Sequence, residues 1–528
     1  MITTDQSAVI EFLCRPGTIC PGAAEKIETH ISLIFLGSER AFKLKRAVAF
    51  PYLDFSTADK RRRACEAEVA INRRTAPDLY RGVAAVTREA DGSLAVNGAG
   101  EAVDWLVEMK RFDQDGLFDR LARRGGLNRR LMGEIAEIIA DFHAAAEPVQ
   151  NFGGRDGMQA IIAGNSEVFA EFGPAVVDGD KLARLADATQ AALDSVSGLL
   201  DGRREKGFVR RCHGDLHLRN VVMIAGRPVL FDAIEFNDAI SHIDVLYDLA
   251  FLLMDLDYRG LRRLANIAFN RYLDVTGDVA GLPALPLFMS LRAAIRAHVV
   301  AAMVKTVEEK GAADGLRRQA GAYLDMALAY LTPPPPRMLA VGGLSGSGKS
   351  RMARELAPYM GAAPGARVAR SDVLRKRLQG VRQLERLGPQ GYTAEMTEKT
   401  YRAVFEEVRK TLEAGHSAIA DAVFAKPRQR AAAERLAADT GDATDAGVNF
   451  DGLWLEAPQE VMMERVGSRK DNASDADAEI VRRQLTYDLG HIDWRVIDSS
   501  GSRKETLARG LRALGLNRLG ETLFAGKK

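Results

Sequence analysis

The stretch Gly343-Leu-Ser-Gly-Ser-Gly-Lys-Ser350 constrains this chain more than any other, because it satisfies G-x-x-x-x-G-K-[ST] in full. Met338-Leu-Ala-Val341 before it is an apolar run of strand type, and Arg351-Met-Ala-Arg-Glu-Leu-Ala357 after it has helical periodicity. Strand, glycine loop and helix in that order predict an α/β unit with a phosphate-binding loop. The backbone of Gly343, Ser345, Gly346, Ser347 and Gly348 is expected to turn its N–H groups toward a phosphate, with the helix N-terminus adding partial positive charge. Lys349 is expected to reach the outer phosphates and Ser350 to hold Mg²⁺. A Gly/Ser-rich turn that merely ends a strand is the plainer alternative, and the complete motif in its context weighs against it.

At 528 residues the chain is long enough for about two to four domains. Hydrophobic residues at 47% and charged residues at 27% fit a globular protein and argue against extensive disorder. The 73 basic and 71 acidic residues leave a net charge of +2, which gives no global electrostatic case for nucleic acid or a membrane surface. Cys14, Cys20, Cys65 and Cys212 show no CxxC spacing and are too few to staple a chain of this size. The first 16 residues lack a basic segment followed by an apolar core, and no run reaches the ~18 apolar residues that span a bilayer, so a cytoplasmic protein is expected. Thr332-Pro-Pro-Pro-Pro-Arg337 is a stiff spacer and the natural boundary. It divides the chain into residues 1–331, a linker at 332–337, and residues 338–528.

In the front part, Ile31–Leu36 and Arg40–Lys45 read as strands joined by a tight turn at Gly37-Ser-Glu39. Lys43 and Lys45 share one face and Phe42 and Leu44 the other, a pattern that by itself suits a solvated edge strand. A helix is expected over Ala58–Arg74, strands over Gly82–Val86 and Ala102–Met109, and helices from about Leu117. A second chemical centre lies in His213-Gly-Asp-Leu-His-Leu-Arg-Asn220, followed by a strand that ends on Asp232 in Pro228–Phe236. An Asp that orients a hydroxyl, with an Asn and a second Asp sharing Mg²⁺, is what phosphoryl transfer needs, since that chemistry is mostly positioning and charge neutralisation.

These two motifs resemble the aminoglycoside phosphotransferase-like branch of the protein-kinase fold, over roughly residues 25–330. The resemblance implies a bilobal fold in which Asp215 is the catalytic base and Asn220 and Asp232 are metal ligands. It implies that Lys43 contacts the nucleotide phosphates, with Glu68 as its helix partner and Glu66 the alternative. Glu108–Arg111 falls where the family binds adenine, and His213 and the acids Asp244 and Asp248 are implied as braces of the loop. A full glycine-rich loop is absent, with only Gly37 near residues 31–40.

Behind the prolines, Ala366–Arg370 reads as a strand that leads into Ser371-Asp372, where Asp372 is both a helix N-cap candidate and an acid facing the crevice of an open sheet. A further strand ends on Asp421, in a place suited to hold Mg²⁺ through water, and another spans Gly452–Pro458. Arg465 and Arg469 share a helical face, as a solvated charged face also does. This half is similar to P-loop kinases of the polynucleotide kinase, zeta toxin and chloramphenicol phosphotransferase type. That likeness implies Asp372 as activator of the acceptor hydroxyl and Arg465 and Arg469 as lid arginines. The whole is expected to be a two-domain α/β and α+β chain, with a kinase-like front and a parallel sheet flanked by helices behind. The expected activity is ATP- and Mg²⁺-dependent phosphoryl transfer to a small-molecule hydroxyl, with a nucleotide-sensing module or a polynucleotide 5'-hydroxyl kinase as alternatives.

Overall fold

The computed structural model describes residues 3–50, 53–172, 176–305, 307, 309–383, 385–444, 447–467, 474–475 and 477–516. The chain divides into two compact units, Met1–Met158 with Leu200–Leu252, and Gln159–Leu199 with Leu253–Lys528.

The first unit is built on a six-stranded antiparallel sheet in the order Glu25–Glu28, Ser32–Leu36, Arg40–Lys45, Glu101–Lys110, Tyr80–Arg88, Leu94–Val96. Strand alternation sends Phe42 and Leu44 to one face, where they pack with Leu33, Phe35, Val86, Leu106 and the helix residues Val9 and Leu13. Ala41 goes to the other face with Val107 and Met109, against Cys65 and Val69 of the helix Ala58–Asn72. The edge-strand reading of Arg40–Lys45 is therefore corrected. That strand pairs on both sides, and Lys43 and Lys45 are only 9% and 0% exposed. Its lysines lie beneath the helix because buried carboxylates meet them there, a pairing that local periodicity does not report.

The loop His213–Asn220 lies between a strand Val209–Arg211, paired with His242–Asp244, and a hairpin of Val221–Ile224 with Arg227–Leu230. Asp232 falls beyond that hairpin, two residues past the strand expected to end on it, in a left-handed conformation with φ 63°.

The second unit contains a five-stranded, all-parallel sheet in the order Arg367–Arg370, Ala418–Asp421, Arg337–Gly342, Asn449–Glu456, Arg495–Asp498. Both faces are covered, as parallel strands require. Met338 and Ala340 pack with Val404, Val408 and Trp454, whereas Leu339 and Val341 pack with Met352, Leu356, Leu453 and Leu455. The same unit holds the helices Arg262–Thr276, Leu285–Val304 and Lys310–Tyr330, with Tyr258 and Tyr323 stacked at 3.9 Å. Residues Val279–Val304 are long and apolar enough to cross a bilayer by length and composition, contrary to the sequence expectation, but 67% of that apolar window is buried in the fold. Arg292 is buried there, and His298 meets Phe169 edge-on.

Candidate active sites

Five charged side chains meet on the helix-facing side of the first unit's sheet. Glu68 uses one carboxylate oxygen for each lysine, Oε1 at 2.9 Å from Lys43 Nζ and Oε2 at 2.6 Å from Lys45 Nζ. Lys43 also reaches Asp232 Oδ1 at 2.6 Å, and Lys45 is hydrogen-bonded to Glu235. Glu66 is exposed on the outer side of the same helix, so Glu68 is the partner of Lys43. Burial opposes the charge of Lys43, but Asp232, Glu68 and Glu235 outweigh it and hold its pKa well above the ordinary value. Asp232 is shifted the other way: burial would raise it, and Lys43 holds it below the usual carboxylate range. Glu235 is raised by burial, with Lys45 opposing and Glu68 adding to the shift.

The loop that carries Asp215 is braced from below. The Asp248 carboxylate accepts the backbone N–H of His213 at 3.0 Å and of Gly214 at 2.9 Å, and His143 Nε2 lies 3.0 Å from it. His143, Cys212 and Asp248 have donor atoms within 4.8 Å of one another, but these hydrogen bonds give the group a bracing role. His213 Nε2 bonds Phe231 O at 2.9 Å, tying the loop to the segment before Asp232. Asn220 donates to Asp215 twice, to the backbone O at 2.9 Å and to Oδ2 at 2.8 Å. Asp244 is paired with Arg203. Tyr80 OH accepts the N–H of Asp232, and Asn72 accepts that of Ala233, so the strained residue is fixed from both sides. Near Glu108–Arg111, the N–H of Lys110 bonds Leu79 O and that of Arg111 bonds Glu39 O, both at ordinary lengths.

In the second unit the loop Gly343–Gly348 joins the central strand to the helix Lys349–Leu356. Gly343 and Gly346 have φ 137° and 89°, and a Cβ on Gly346 would stand 2.5 Å from Met462 O, so glycine is required for this wrap. Ser350 Oγ donates to Asp421 Oδ1 at 3.0 Å, and Arg370 Nε lies 3.6 Å from Asp421 Oδ2. Lys349 is buried, and Ser347 Oγ is buried with no hydrogen-bond partner among the described residues. Ser345 N donates to Gln484 Oε1 at 2.7 Å. Asp372 is not the helix cap it was expected to be. Arg370 takes that place, and Asp372 stands half-buried in the first turn of Ser371–Leu378 because the strand runs straight into the helix. Arg465 donates to Ser499 O at 2.7 Å, while Ser499 Oγ donates to Ser347 O, which links the helix Gln459–Gly467 to the glycine loop. Arg469 lies outside the described residues.

Residues 117–285 match the model of the phosphotransferase enzyme family, and residues 338–487 match that of the AAA domain. The uncharacterized protein Rv2004c of Mycobacterium tuberculosis (strain ATCC 25618 / H37Rv) is 30% identical over 495 residues, covering 91% of this chain and 93% of that protein. The chain belongs to its family. With its two matched domains it is an ATP-dependent phosphotransferase. Among solved structures it is similar to a gluconokinase from Sinorhizobium meliloti 1021 (20% identity, 37% of this chain and 98% of that one, TM-score 0.25). It is also similar to a choline/ethanolamine kinase family protein from Mesorhizobium loti (12% identity, 62% and 98%, TM-score 0.37).

Several residues around the two clusters of this phosphotransferase were not singled out from its sequence. Lys45 and Glu235 complete the buried ion cluster, and only the alternation of Lys45 with Lys43 hinted at it. Arg351, exposed, has its pKa depressed by partial desolvation and then by the neighbouring Arg503, with Arg465 and Arg263 adding to the shift, which marks a gathering of cations on this unit. Gln484, Arg370 and Ser499 reach the loop or Asp421 from distant segments, and no local motif carries them.

Proposed function

We propose that the chain carries two phosphoryl-transfer centres, each of which binds ATP with Mg²⁺ and passes the γ-phosphoryl group to a hydroxyl of a small molecule such as an aminoglycoside, sugar or nucleoside. The observation that carries this reading is that each compact unit holds its own set of phosphate- and metal-directed groups. One is Lys43, Glu68, Asp215, Asn220 and Asp232; the other is the glycine loop with Lys349, Ser350, Asp372 and Asp421. The donor sets fit the absent groups. Ser347 Oγ is an orphaned buried hydroxyl inside the glycine wrap, and the Ser350–Asp421 pair is an all-oxygen pair of the kind Mg²⁺ takes. Mg²⁺ supplies charge neutralisation on the phosphate oxygens.

In the front centre, Lys43 is the phosphate contact and Asp232 and Asn220 are the metal-directed groups. Asp215 accepts the proton of the acceptor hydroxyl as its oxygen bonds to the γ-phosphorus and the bond to the bridging oxygen breaks, releasing ADP. Asp372 has the corresponding role behind, with Arg465 and Arg469 directed at the transferring phosphate. We place the boundary at the proline run 332–337 and the protein in the cytoplasm, where its four free cysteines suit a reducing compartment.

The test uses the full chain. Asp215→Asn, Lys349→Ala and the double variant are assayed for ADP release with Mg²⁺-ATP and panels of aminoglycosides, sugars, nucleosides and 5'-hydroxyl oligonucleotides. Two acceptors, each lost in one single variant, are expected. A single acceptor lost in both would replace this reading with one catalytic half and one nucleotide-sensing half.

A further inference from the structure

The outermost strand of the parallel sheet, Arg367–Arg370, has a sheet neighbour on one side only. Strand alternation turns the N–H of Arg367 inward to Ser417 O at 3.0 Å, so the N–H of Val368 and the C=O of Ala366 face outward. Such an edge normally meets water or another strand. Here it meets the side chains of the helix Arg262–Thr276, which precedes the proline run and lies in the same compact unit. Asn270 Oδ1 accepts Val368 N–H at 2.7 Å, and Asn270 Nδ2 and Asn266 Nδ2 each donate to Ala366 O at 3.1 Å. Two asparagine amides thus stand in for a missing strand.

An ion network continues inward from the same helix. Arg367, 1% exposed, is ion-paired through Nη1 with Asp274 Oδ1 at 2.7 Å, and Nη1 donates to Asn270 O at 3.0 Å. Its Nε and Nη2 bond Glu407 Oε1 at 3.0 and 2.6 Å. The other oxygen of Glu407 takes Arg377 Nη2 at 2.6 Å, and Arg377 belongs to the helix Ser371–Leu378 that carries Asp372. Burial opposes the charge of Arg367, yet Glu407 and Asp274 hold its pKa above the ordinary value. At the other end of the helix, Arg263 is paired with Glu355, on the helix that follows the glycine loop.

We propose that the helix Arg262–Thr276, which by sequence belongs to the front half, is a working part of the rear phosphoryl-transfer centre, with Asn270 and Asp274 as positioning residues that hold the strand Arg367–Arg370 and thereby Asp372. This inference rests on the reading of Asp372 as the acceptor-side acid. Neither asparagine nor Asp274 touches the glycine loop in the contacts described, so their loss acts on the acceptor side and spares nucleotide binding. The two halves of the sequence are then joined by more than a proline spacer, and the rear sheet borrows its outer edge from the front half.

Amide exchange on the unmodified full chain gives the first test: the outward-facing Val368 amide is expected to be protected to the same order as its inward neighbour Ala369, and exchange at the unprotected rate overturns the latch. Asp274→Asn and Asn270→Ser are then compared in full chains that also carry Asp215→Asn to silence the front centre. Exchange over residues 367–378 is expected to rise at least tenfold while that over Leu339–Val341 stays unchanged. The kcat of Mg²⁺-ATP turnover is expected to fall about tenfold at constant KM for ATP, with Asp274→Glu restoring most of it. A lower melting temperature with kcat and exchange over 371–378 unchanged would mean a merely structural contact and overturn the positioning role. Asp372→Asn separates the two claims: if it leaves turnover intact, the reading of Asp372 fails, whereas the Val368 exchange still decides the latch.

Discussion

Replacing Glu68 by glutamine tests the ion cluster most directly, because one fully buried carboxylate serves two buried ammonium groups. The change keeps the shape and removes the charge. Lys43 keeps Asp232 and Lys45 keeps Glu235, so neither lysine is left bare, but each loses a charge-assisted hydrogen bond. Such bonds contribute about 1.5–3 kcal/mol each. Two of them come to roughly 3–6 kcal/mol, and removing one partner of a buried pair costs about 3–5 kcal/mol, the range that sets the expected shift in Tm. The first unit has 211 residues, 158 from Met1–Met158 and 53 from Leu200–Leu252. For a unit of that size 1 kcal/mol moves Tm by about 2–4 °C, so the transition of this unit should fall by about 6–20 °C. The assay is calorimetry of the full chain, with amide exchange over Arg40–Lys45 to assign the transition to this unit. Asp232→Asn is the control. The Asp232 side chain is 41% exposed, and solvent screens what it contributes, so it should cost under about 1 kcal/mol while abolishing front-centre activity. A Glu68→Gln protein that melts within 2 °C of the parent, with the strand equally protected, would refute the idea that this carboxylate organises the two lysines.

In the rear centre, Lys349→Ala should lower nucleotide turnover by at least about 100-fold without changing the melting temperature by more than a few degrees, as measured by ADP release beside calorimetry. Gly346→Ala puts a Cβ 2.5 Å from Met462 O at a φ of 89°, and should cost about 1–3 kcal/mol and raise the Kd for Mg²⁺-ATP, read by titration. Burial lowers both His298 and His416 to about 4 from the ordinary 6.5, so both are neutral in the folded chain. Their depressed values mean that stability is whole above pH 6.5 and is lost as the pH falls toward about 4. Each should contribute about 2 kcal/mol of destabilisation of the second unit between pH 7 and pH 5. Denaturant titrations at the two pH values check this, and His416→Leu should remove about half of the dependence.

How much was legible in the sequence follows from how local each feature is. The glycine loop, the Asp215–Asn220 spacing and the acids after the strands are all contiguous in the chain, and their physics is local: a wrapped backbone, a five-residue loop, a strand end. The role of Lys43 was read only through resemblance, because alternation places Lys43 and Lys45 on one face but does not reveal that Glu68 and Glu235 lie across from them. Asp232 at its positive φ is held by Tyr80, which accepts its own N–H from 152 residues away, and by Asn72, which accepts that of Ala233 from 161 residues away. The proline run looked like a clean divider since stiffness is a compositional property, whereas the hydrogen bonds of Asn270 to residues 366–368 are a tertiary one.

Under the reading proposed above, the two centres would meet the same electrostatic problem with different materials, and that difference decides where each is vulnerable. The rear loop would meet phosphate with backbone N–H groups, a helix N-terminus and Lys349, and the backbone donors need only glycine at the tight positions. Its weak point is geometric, because the strand Arg367–Arg370 that leads into the helix of Asp372 is the outermost of the sheet. The front centre would meet phosphate with Lys43, a buried ammonium that needs a partner in the folded chain. Asp232 and Glu68 pair with it, and if Lys43 serves phosphate and Asp232 a metal as proposed, the ion pair between these two has to open. Glu68, with no exposure, stays behind as the fixed partner. Lys45, itself paired with Glu235, is the second buried ammonium that Glu68 holds. Lys45→Met should therefore raise KM for ATP in the front centre although Lys45 is more deeply buried than Lys43, and an unchanged KM would show that Glu68 needs no second lysine.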